Sequence, residues 1–203
     1  MRLWAMQGLI TAAGLGVRAH TGSLFRKVML PIYDFRDEGI VIRPIIDCAI
    51  YRMKRIGIND ITVVLDPADS VTYEYIKRAC DVSVENGRAT KGFGDAVLAG
   101  SKGINGRFML NAGDGVILDY EIMERLKGSS FKSVLSLIRV KDPQLYGIAK
   151  CGAKRGGAYV VEEVVEKPKM PVANTAIAAV YVLDEDVVNY IPRSGENIEL
   201  TDA

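Results

Sequence analysis

Two glycines and two cations near the N-terminus carry the first chemical suggestion. Residues 12–18 read AAGLGVR, and Lys27 follows a short distance after Arg18. Gly14 and Gly16 allow the backbone to approach a phosphate and to turn N–H groups toward it. Arg18 and Lys27 beside such a loop make a cradle for a polyphosphate. The same residues also meet a loose dinucleotide pattern, Gly14-x-Gly16-x-x-Ala19. That pattern requires a helix directly after the loop, whereas Thr21-Gly22-Ser23 and Leu30-Pro31 interrupt the region. No GK[ST] stands at P-loop spacing. A glycine turn without a ligand is the plain alternative, and the two cations argue against it.

Carboxylates and one further lysine supply the rest of the candidate chemistry. Asp114 lies between Gly113 and Gly115, Glu166-Lys167-Pro168 follows an apolar stretch, and Asp202 sits in IELTDA at 198–203. Each has a simpler reading. Asp114 suits a turn, Lys167 a solvated strand end, and Asp202 a helix N-cap or a frayed terminus. Glu162, Glu163 and Glu166 also fit one charged strand face. His20 is the sole histidine and Cys48, Cys80 and Cys151 are widely spaced, so neither a nucleophile triad nor a Cys/His zinc scheme is offered. The chemistry these residues suit is charge neutralisation around phosphates.

Strands and helices must position them. Residues 6–13 read as a strand entering the glycine turn. Residues 44–56 carry apolar side chains at helical spacing, with Pro44 in the first turn and Gly57 at the stop. Residues 61–65, ITVVL, read as a strand buried on both faces, and Asp66-Pro67 opens a helix through Ala79. A helix over 94–101, a strand over 108–112, a helix capped by Asp119 and ending at Gly128, and a strand over 133–140 continue the alternation. From Tyr146 the pattern changes: 146–150 and 159–166 flank a hairpin loop at 151–157. A strand over 177–183 and a helix capped by Asp184, stopping before Pro192, complete the chain. Strand–helix alternation predicts an α/β sandwich around a mixed, mostly parallel sheet. In such sheets ligands bind beyond the carboxyl ends of the strands. Residues 12–18, 113–115 and 166–168 all fall at such ends.

The composition fits a single globular domain over 1–203. Apolar residues make up 49%, charged residues 25%, and the net charge is +1. There is no basic excess for nucleic acid or an anionic membrane. The apolar stretch at 3–10 is too short to span a bilayer and lacks a signal-peptide cleavage pattern. The expectations are a cytoplasmic protein with reduced thiols, no nucleic-acid partner and no membrane partner.

Residues 12–18 (AAGLGVR) and 27–32 (KVMLPI) resemble the signature of the sugar-1-phosphate nucleotidyltransferases. Further segments resemble that family in its own order: 92–98 (GFGDAVL), Gly113-Asp114, Tyr146-Gly147, Glu166-Lys167-Pro168 and 198–203 (IELTDA). GFGDAVL, EKP and IELTDA resemble the branch that uses UTP and glucose 1-phosphate more than the thymidylyl branch. The resemblance implies a Rossmann-like α/β/α sandwich and a reaction joining a nucleoside triphosphate to a sugar 1-phosphate, giving a nucleotide sugar (here UDP-glucose) and pyrophosphate. It assigns Arg18 and Lys27 to the triphosphate and Asp114 with Asp202 to Mg²⁺. Lys167 would meet the sugar phosphate and Glu166 the sugar hydroxyls. The backbones of Ala13, Gly14 and Gly92 would read the base, Gly16 would admit the phosphates, and the backbone of Gly147 would meet the sugar.

The chain departs from the family pattern at several points. Val17 replaces a threonine, Arg26 replaces a proline, and the spacer from Arg18 to Lys27 is one residue shorter. The glutamine expected ahead of the 92–98 segment is missing, leaving Glu85 or Asn86 to substitute. The chain stops at Ala203, where relatives continue with elements that often mediate oligomerisation; the expectation is a member without the usual C-terminal extension, with self-association left open. Three readings follow: an active Mg²⁺-dependent uridylyltransferase, with a dTTP-using enzyme as its near alternative; a catalytically weak relative that binds a sugar nucleotide and regulates a partner; and an NAD-dependent oxidoreductase.

Overall fold

A computed structural model describes residues 5–16, 25–88, 91–195 and 197–203, with Asp202 described by its backbone alone. The first half runs through β1 (Gln7–Thr11), β2 (Pro31–Arg36), β3 (Gly39–Pro44), α1 (Ile45–Arg55), β4 (Ile61–Leu65), α2 (Ser70–Ala79), β5 (Ser83–Asn86) and α3 (Phe93–Gly100). The second half runs through β6 (Phe108–Ala112), α4 (Tyr120–Gly128), β7 (Val134–Arg139), β8 (Gly147–Arg155), β9 (Ala158–Glu166) and β10 (Thr175–Leu183), then 3-10 turns at Glu185–Asn189 and Leu200–Asp202.

The central strands divide their side chains between two apolar layers, as the period of two requires. Ile10, Val63, Leu65, Met109, Val180 and Val182 face one layer, where α1, α2 and α4 contribute Ile46, Met53, Ile76, Met123 and Leu126. Leu9, Val64, Phe108, Leu110 and Leu183 face the other, where α3 supplies Ala96 and Val97 and the C-terminal segment supplies Ile191 and Ile198. A sheet covered on both faces explains why ITVVL carries no polar alternation. The result is the expected Rossmann-like α/β/α sandwich.

The sheet order is β5-β4-β1-β6-β10-β8-β9, with β7 also paired to β10. The block β5-β4-β1-β6 is parallel throughout, and β10, β7, β8 and β9 pair antiparallel. From β1 the chain crosses to β4 on one side and later returns to β6 on the other. Strand order therefore reverses at β1, and a crevice opens at its carboxyl end.

Several local expectations are corrected. Helix α2 starts at Ser70, capped by Asp69, whose side chain accepts from the Thr72 N–H at 3.1 Å; Asp66 instead accepts from the Ala68 N–H at 2.9 Å and closes a turn. Pro44 ends β3 and precedes α1 rather than lying inside its first turn. Strands β8 and β9 run through most of 151–157 and leave only Gly156-Gly157 as the loop, both with positive φ. The segment after Asp184 is a 3-10 turn. The two-stranded ribbon β2–β3 and the short strand β5 have no counterpart in the sequence reading.

Candidate active site

Two neighbouring cavities open at the carboxyl edge of the sheet and share Phe93 and Ala112 as walls. The first, of about 250 Å³, is lined by Ala13, Gly14, Gly16, Lys27, Gly92 and Asp114, among others. The second, of about 330 Å³, is lined by Gly147, Glu166, Tyr181, Thr201 and apolar side chains that include Leu135 and Ile177. Residues from both ends of the chain thus converge on one continuous crevice.

The first cavity owes its shape to the ends of β1 and β6. These parallel strands pair Thr11 with Ala112, so the glycine loop and Asp114 leave the sheet side by side. Lys27 lies in a 3-10 turn, Lys27–Met29, and its Nζ donates to Asp114 Oδ2 at 2.7 Å. The side chains are 43% and 48% exposed. Such a pair contributes about 0–1 kcal/mol to stability; its interest is that it sets a cation and an acceptor in one opening. Gly16 has φ +63, and a Cβ there would meet Lys27 Cβ at 2.9 Å, so only glycine lets the loop close against this lysine. The neighbouring Arg26 faces Asp66 at 3.6 Å.

Gly92 joins the C-terminal segment to α3. Its φ is +94, and a Cβ would stand 2.6 Å from both the Ile198 carbonyl and Asn197 Oδ1. The Gly94 N–H donates to the Ile198 carbonyl at 2.8 Å, and the Ile198 N–H donates to the Lys91 carbonyl at 2.8 Å. This bonding holds the Leu200–Asp202 turn over the second cavity, where Thr201 Oγ1 approaches Glu166 Oε2 at 3.4 Å.

In the second cavity, Gly147 and Glu166 are cross-strand partners in the β8–β9 pair. Glu166 Oε1 meets Lys167 Nζ at 2.6 Å. Lys167 has φ 41, the one non-glycine residue with positive φ among the described residues, and its N–H donates to the Tyr146 carbonyl at 3.0 Å. A left-handed lysine costs on the order of 1 kcal/mol. The bond to Tyr146 holds it there and sends its side chain off the strand line beside Glu166. Tyr181 packs its ring against Phe93 at 6.2 Å between centroids. Burial, with Glu166 and Asp114 nearby, pushes the Tyr181 phenol up to about 12. It remains a neutral hydrogen-bonding group at any working pH.

The structure therefore brings together Ala13, Gly14, Gly16, Lys27, Gly92 and Asp114, and beside them Gly147, Glu166 and Lys167. Arg18 lies outside the described residues. Asp202 is placed by its backbone in the Leu200–Asp202 turn. Among the described residues no group of three or more His, Cys, Asp or Glu gathers at one point. Asp114 supplies one carboxylate to the cavity; its Oδ1 makes no hydrogen bond among the described residues.

Sequence reasoning passed over Arg88 and Tyr181. Asp95 is buried, and a buried carboxylate needs a partner. Arg88 supplies it through Nε at 3.1 Å and through a second, short contact from Nη2. The pair raises the Arg88 pKa and sets the guanidinium on the wall of the first cavity. Asp95 is the one charged side chain of α3, but nothing in the sequence shows that it is buried. Tyr181 is an aromatic in a run of small and β-branched residues, and only the strand register reveals which face it takes.

The family model described as "Nucleotidyl transferase" matches residues 26–203. A bifunctional sugar-1-phosphate nucleotidylyltransferase/acetyltransferase of Sulfurisphaera tokodaii is 27% identical, covering 98% of this chain and 47% of that protein. A UTP–glucose-1-phosphate uridylyltransferase of Staphylococcus epidermidis is 28% identical, covering 97% of this chain and 79% of the relative. The chain spans about half the length of several curated relatives it matches, mannose-1-phosphate guanylyltransferase 1 of Arabidopsis thaliana among them at 54%. A solved structure of UDP-glucose pyrophosphorylase complexed with UDP-glucose superposes with a TM-score of 0.80 at 23% identity, covering 98% of this chain and 85% of the other. That likeness speaks for the fold. The chain belongs to the nucleotidyl transferase family.

Proposed function

We propose that this member of the nucleotidyl transferase family joins UTP to glucose 1-phosphate, releasing pyrophosphate and UDP-glucose. The carrying observation is the pair of joined cavities, one walled by the glycine loop with Lys27 and Asp114, the other by Gly147 and Glu166. A bisubstrate reaction between two anions is served by such an arrangement: separate seats that meet at one shared wall, with a cation, Lys27, lining the first.

A phosphate oxygen of the sugar phosphate attacks the α-phosphorus of the nucleotide. The bond from that phosphorus to the bridging oxygen of the β-phosphate breaks, and pyrophosphate leaves with the bonding pair. No protein nucleophile takes part in this reading. Lys27 and Arg18 hold the triphosphate and the charge that develops on the transferred group. The backbones of Ala13, Gly14 and Gly92 face the base, and Gly16 admits the phosphates close to Lys27. Glu166 accepts from sugar hydroxyls, the Gly147 backbone borders the sugar, and Lys167 meets the sugar phosphate.

Mg²⁺ fits the donor set, because it takes one or two carboxylates and fills its octahedron with phosphate oxygens and water. Asp114 would hold it, with Asp202 as its partner in this reading. When bound, the ion neutralises phosphate charge. A cytoplasmic setting fits the substrates and the free thiols Cys48, Cys80 and Cys151.

A matrix of nucleoside triphosphates against sugar 1-phosphates, read by pyrophosphate release, tests the assignment. The highest kcat/KM is expected for UTP with glucose 1-phosphate. A higher value for dTTP moves the base assignment to thymine, and no release with any pair in a folded protein removes the catalytic reading.

A further inference from the structure

The first cavity straddles the edge of the sheet. Val28 belongs to the apolar layer on one face, Ala13 and Ala96 to the layer on the face covered by α3, and all three line the opening. Lys27, next to Val28, meets Asp114 and gives the cavity its charged side. The α3 side is walled by Ala13, Phe93, Ala96 and Arg88. Thr11 also lines the cavity, but its hydroxyl is buried beneath the surface. Among the described residues, Arg88 is therefore the one polar side chain that the α3 side offers to a ligand.

Two features fix Arg88 there. The Gly87 N–H donates to the Leu65 carbonyl at 2.7 Å, and a Cβ on Gly87 would stand 2.5 Å from Val64 Cγ1 and 3.1 Å from Ala13 Cβ. The backbone just before Arg88 thus passes directly against β4 and the start of the glycine loop. The guanidinium is then clamped by Asp95, which accepts from Nε at 3.1 Å and from Nη2 in a short contact. The Arg88 side chain is 65% exposed, whereas that of Asp95 is 5% exposed. An apolar residue at 95 would fill the same place without taking a charge out of water. What Asp95 adds is a guanidinium held in a fixed plane. Both bonds use the Nε–Nη2 edge. Nη1 makes no hydrogen bond among the described residues, and its two N–H groups can only donate.

We propose that Arg88 selects the base of the nucleotide by donating from Nη1 to a ring carbonyl, favouring uracil, thymine and guanine over cytosine and adenine. This rests on the reading that seats the nucleotide in the first cavity. The polarity of that cavity orients the ligand. A triphosphate is drawn to Lys27, and the base then lies toward the α3 side, against the apolar surfaces of Ala13 and Phe93. In a pyrimidine, the position across the ring from the sugar bond carries oxygen in uracil and thymine and an amino group in cytosine. The matching position in a purine carries oxygen in guanine and an amino group in adenine. A guanidinium has five donors and no acceptor. It makes a charge-assisted bond to the carbonyl and meets the amino group donor to donor. The charge of Arg88 acting on the phosphates instead would favour every nucleoside triphosphate alike, so the two roles differ in which bases lose affinity when the residue is changed.

Calorimetric titration with UTP and with CTP, each with Mg²⁺ in excess, tests the proposal. The two nucleotides share ribose, triphosphate and ring size. The wild-type chain is expected to bind UTP about tenfold or more tightly than CTP. Arg88→Gln, whose amide both donates and accepts, should bring the two affinities within about twofold by weakening UTP alone. Because that change leaves buried Asp95 with a neutral partner, the double variant Arg88→Ala/Asp95→Ala, which carries neither charge, is measured beside it. The same levelling is expected there, with near-native circular dichroism. Equal losses for UTP and CTP, or a UTP preference that persists in both variants, overturn the proposal and leave the nucleotide seat standing. A wild-type chain that binds both nucleotides equally does the same. A folded wild-type chain that binds neither overturns the seat itself, and the proposal with it.

Discussion

Lys27 and Asp114 lie 87 positions apart in the chain and meet at 2.7 Å in the wall of the first cavity. Their half-exposed ion pair adds little to stability, about 0–1 kcal/mol. Substitutions at either position should therefore report on chemistry rather than folding. With one ammonium hydrogen spent on Asp114, Lys27 keeps two for phosphate oxygens.

Lys27→Ala is expected to lower kcat by about 100-fold, on the order of 3 kcal/mol for a preorganised charge at the transferred group. Its unfolding midpoint should remain near that of the wild type. Near-normal turnover in a folded variant would remove Lys27 from the reaction.

Asp114→Asn is expected to abolish turnover while UTP binding, read by calorimetry, survives through Lys27 and the loop amides. The same titration at several Mg²⁺ concentrations should show metal-dependent affinity in the wild type and a much flatter dependence in the variant. Equal Mg²⁺ dependence in both proteins would place the ion elsewhere.

Lys167 occupies a left-handed backbone position. Lys167→Gly should relieve the strain and hold or raise stability by about 0.5–1 kcal/mol. The same change should raise the KM for the sugar phosphate, because the ammonium beside Glu166 is gone. A variant with unchanged KM would make the strain a feature of the strand end and nothing more.

The Asp34 network sets an acid limit on the fold. Burial opposes the charge on Asp34, but hydrogen bonds from Arg52 and Arg36 outweigh it and hold the carboxyl below its ordinary value of 3.8. A carboxyl with a lower pKa folded than unfolded contributes fully above the unfolded value, and its contribution fades as pH falls through the native one. Stability should therefore be insensitive to this group above about pH 5 and fall below about pH 4. Asp34→Asn, which leaves Arg52 buried with one partner fewer, should cost about 3–5 kcal/mol at pH 7 and soften the acid dependence. Urea midpoints at pH 7 and at pH 3.5 check both statements.

The parts of the fold that were legible in the sequence are those in which side-chain pattern and environment agree. Strand β4 is apolar at every position except Thr62 because both faces are covered, and α1 shows helical spacing because one face packs on the sheet. The ribbon β2–β3 escaped because its alternation is reversed: a pattern of Tyr, Phe and Ile between Asp and Arg does not announce that the charged face is the buried one. Strands β8 and β9 extend through lysine and arginine into 151–157 because an exposed edge hairpin imposes no apolar requirement there. At the site, the glycines, Lys27, Asp114 and Glu166 were legible through their residue types and order. Arg88 was not, since its position follows from the need to neutralise buried Asp95, and that need appears only when α3 is packed.

The central claim is direct transfer of the α-phosphoryl group between two substrates seated in the joined cavities. Single-turnover incubation with UTP labelled at the α-phosphorus, Mg²⁺ and glucose 1-phosphate tests it most directly. The account predicts that all transferred label appears in UDP-glucose, with unlabelled pyrophosphate formed in equal amount and no label on the protein. Label recovered on the protein, or released as UMP or UDP without UDP-glucose, would contradict it.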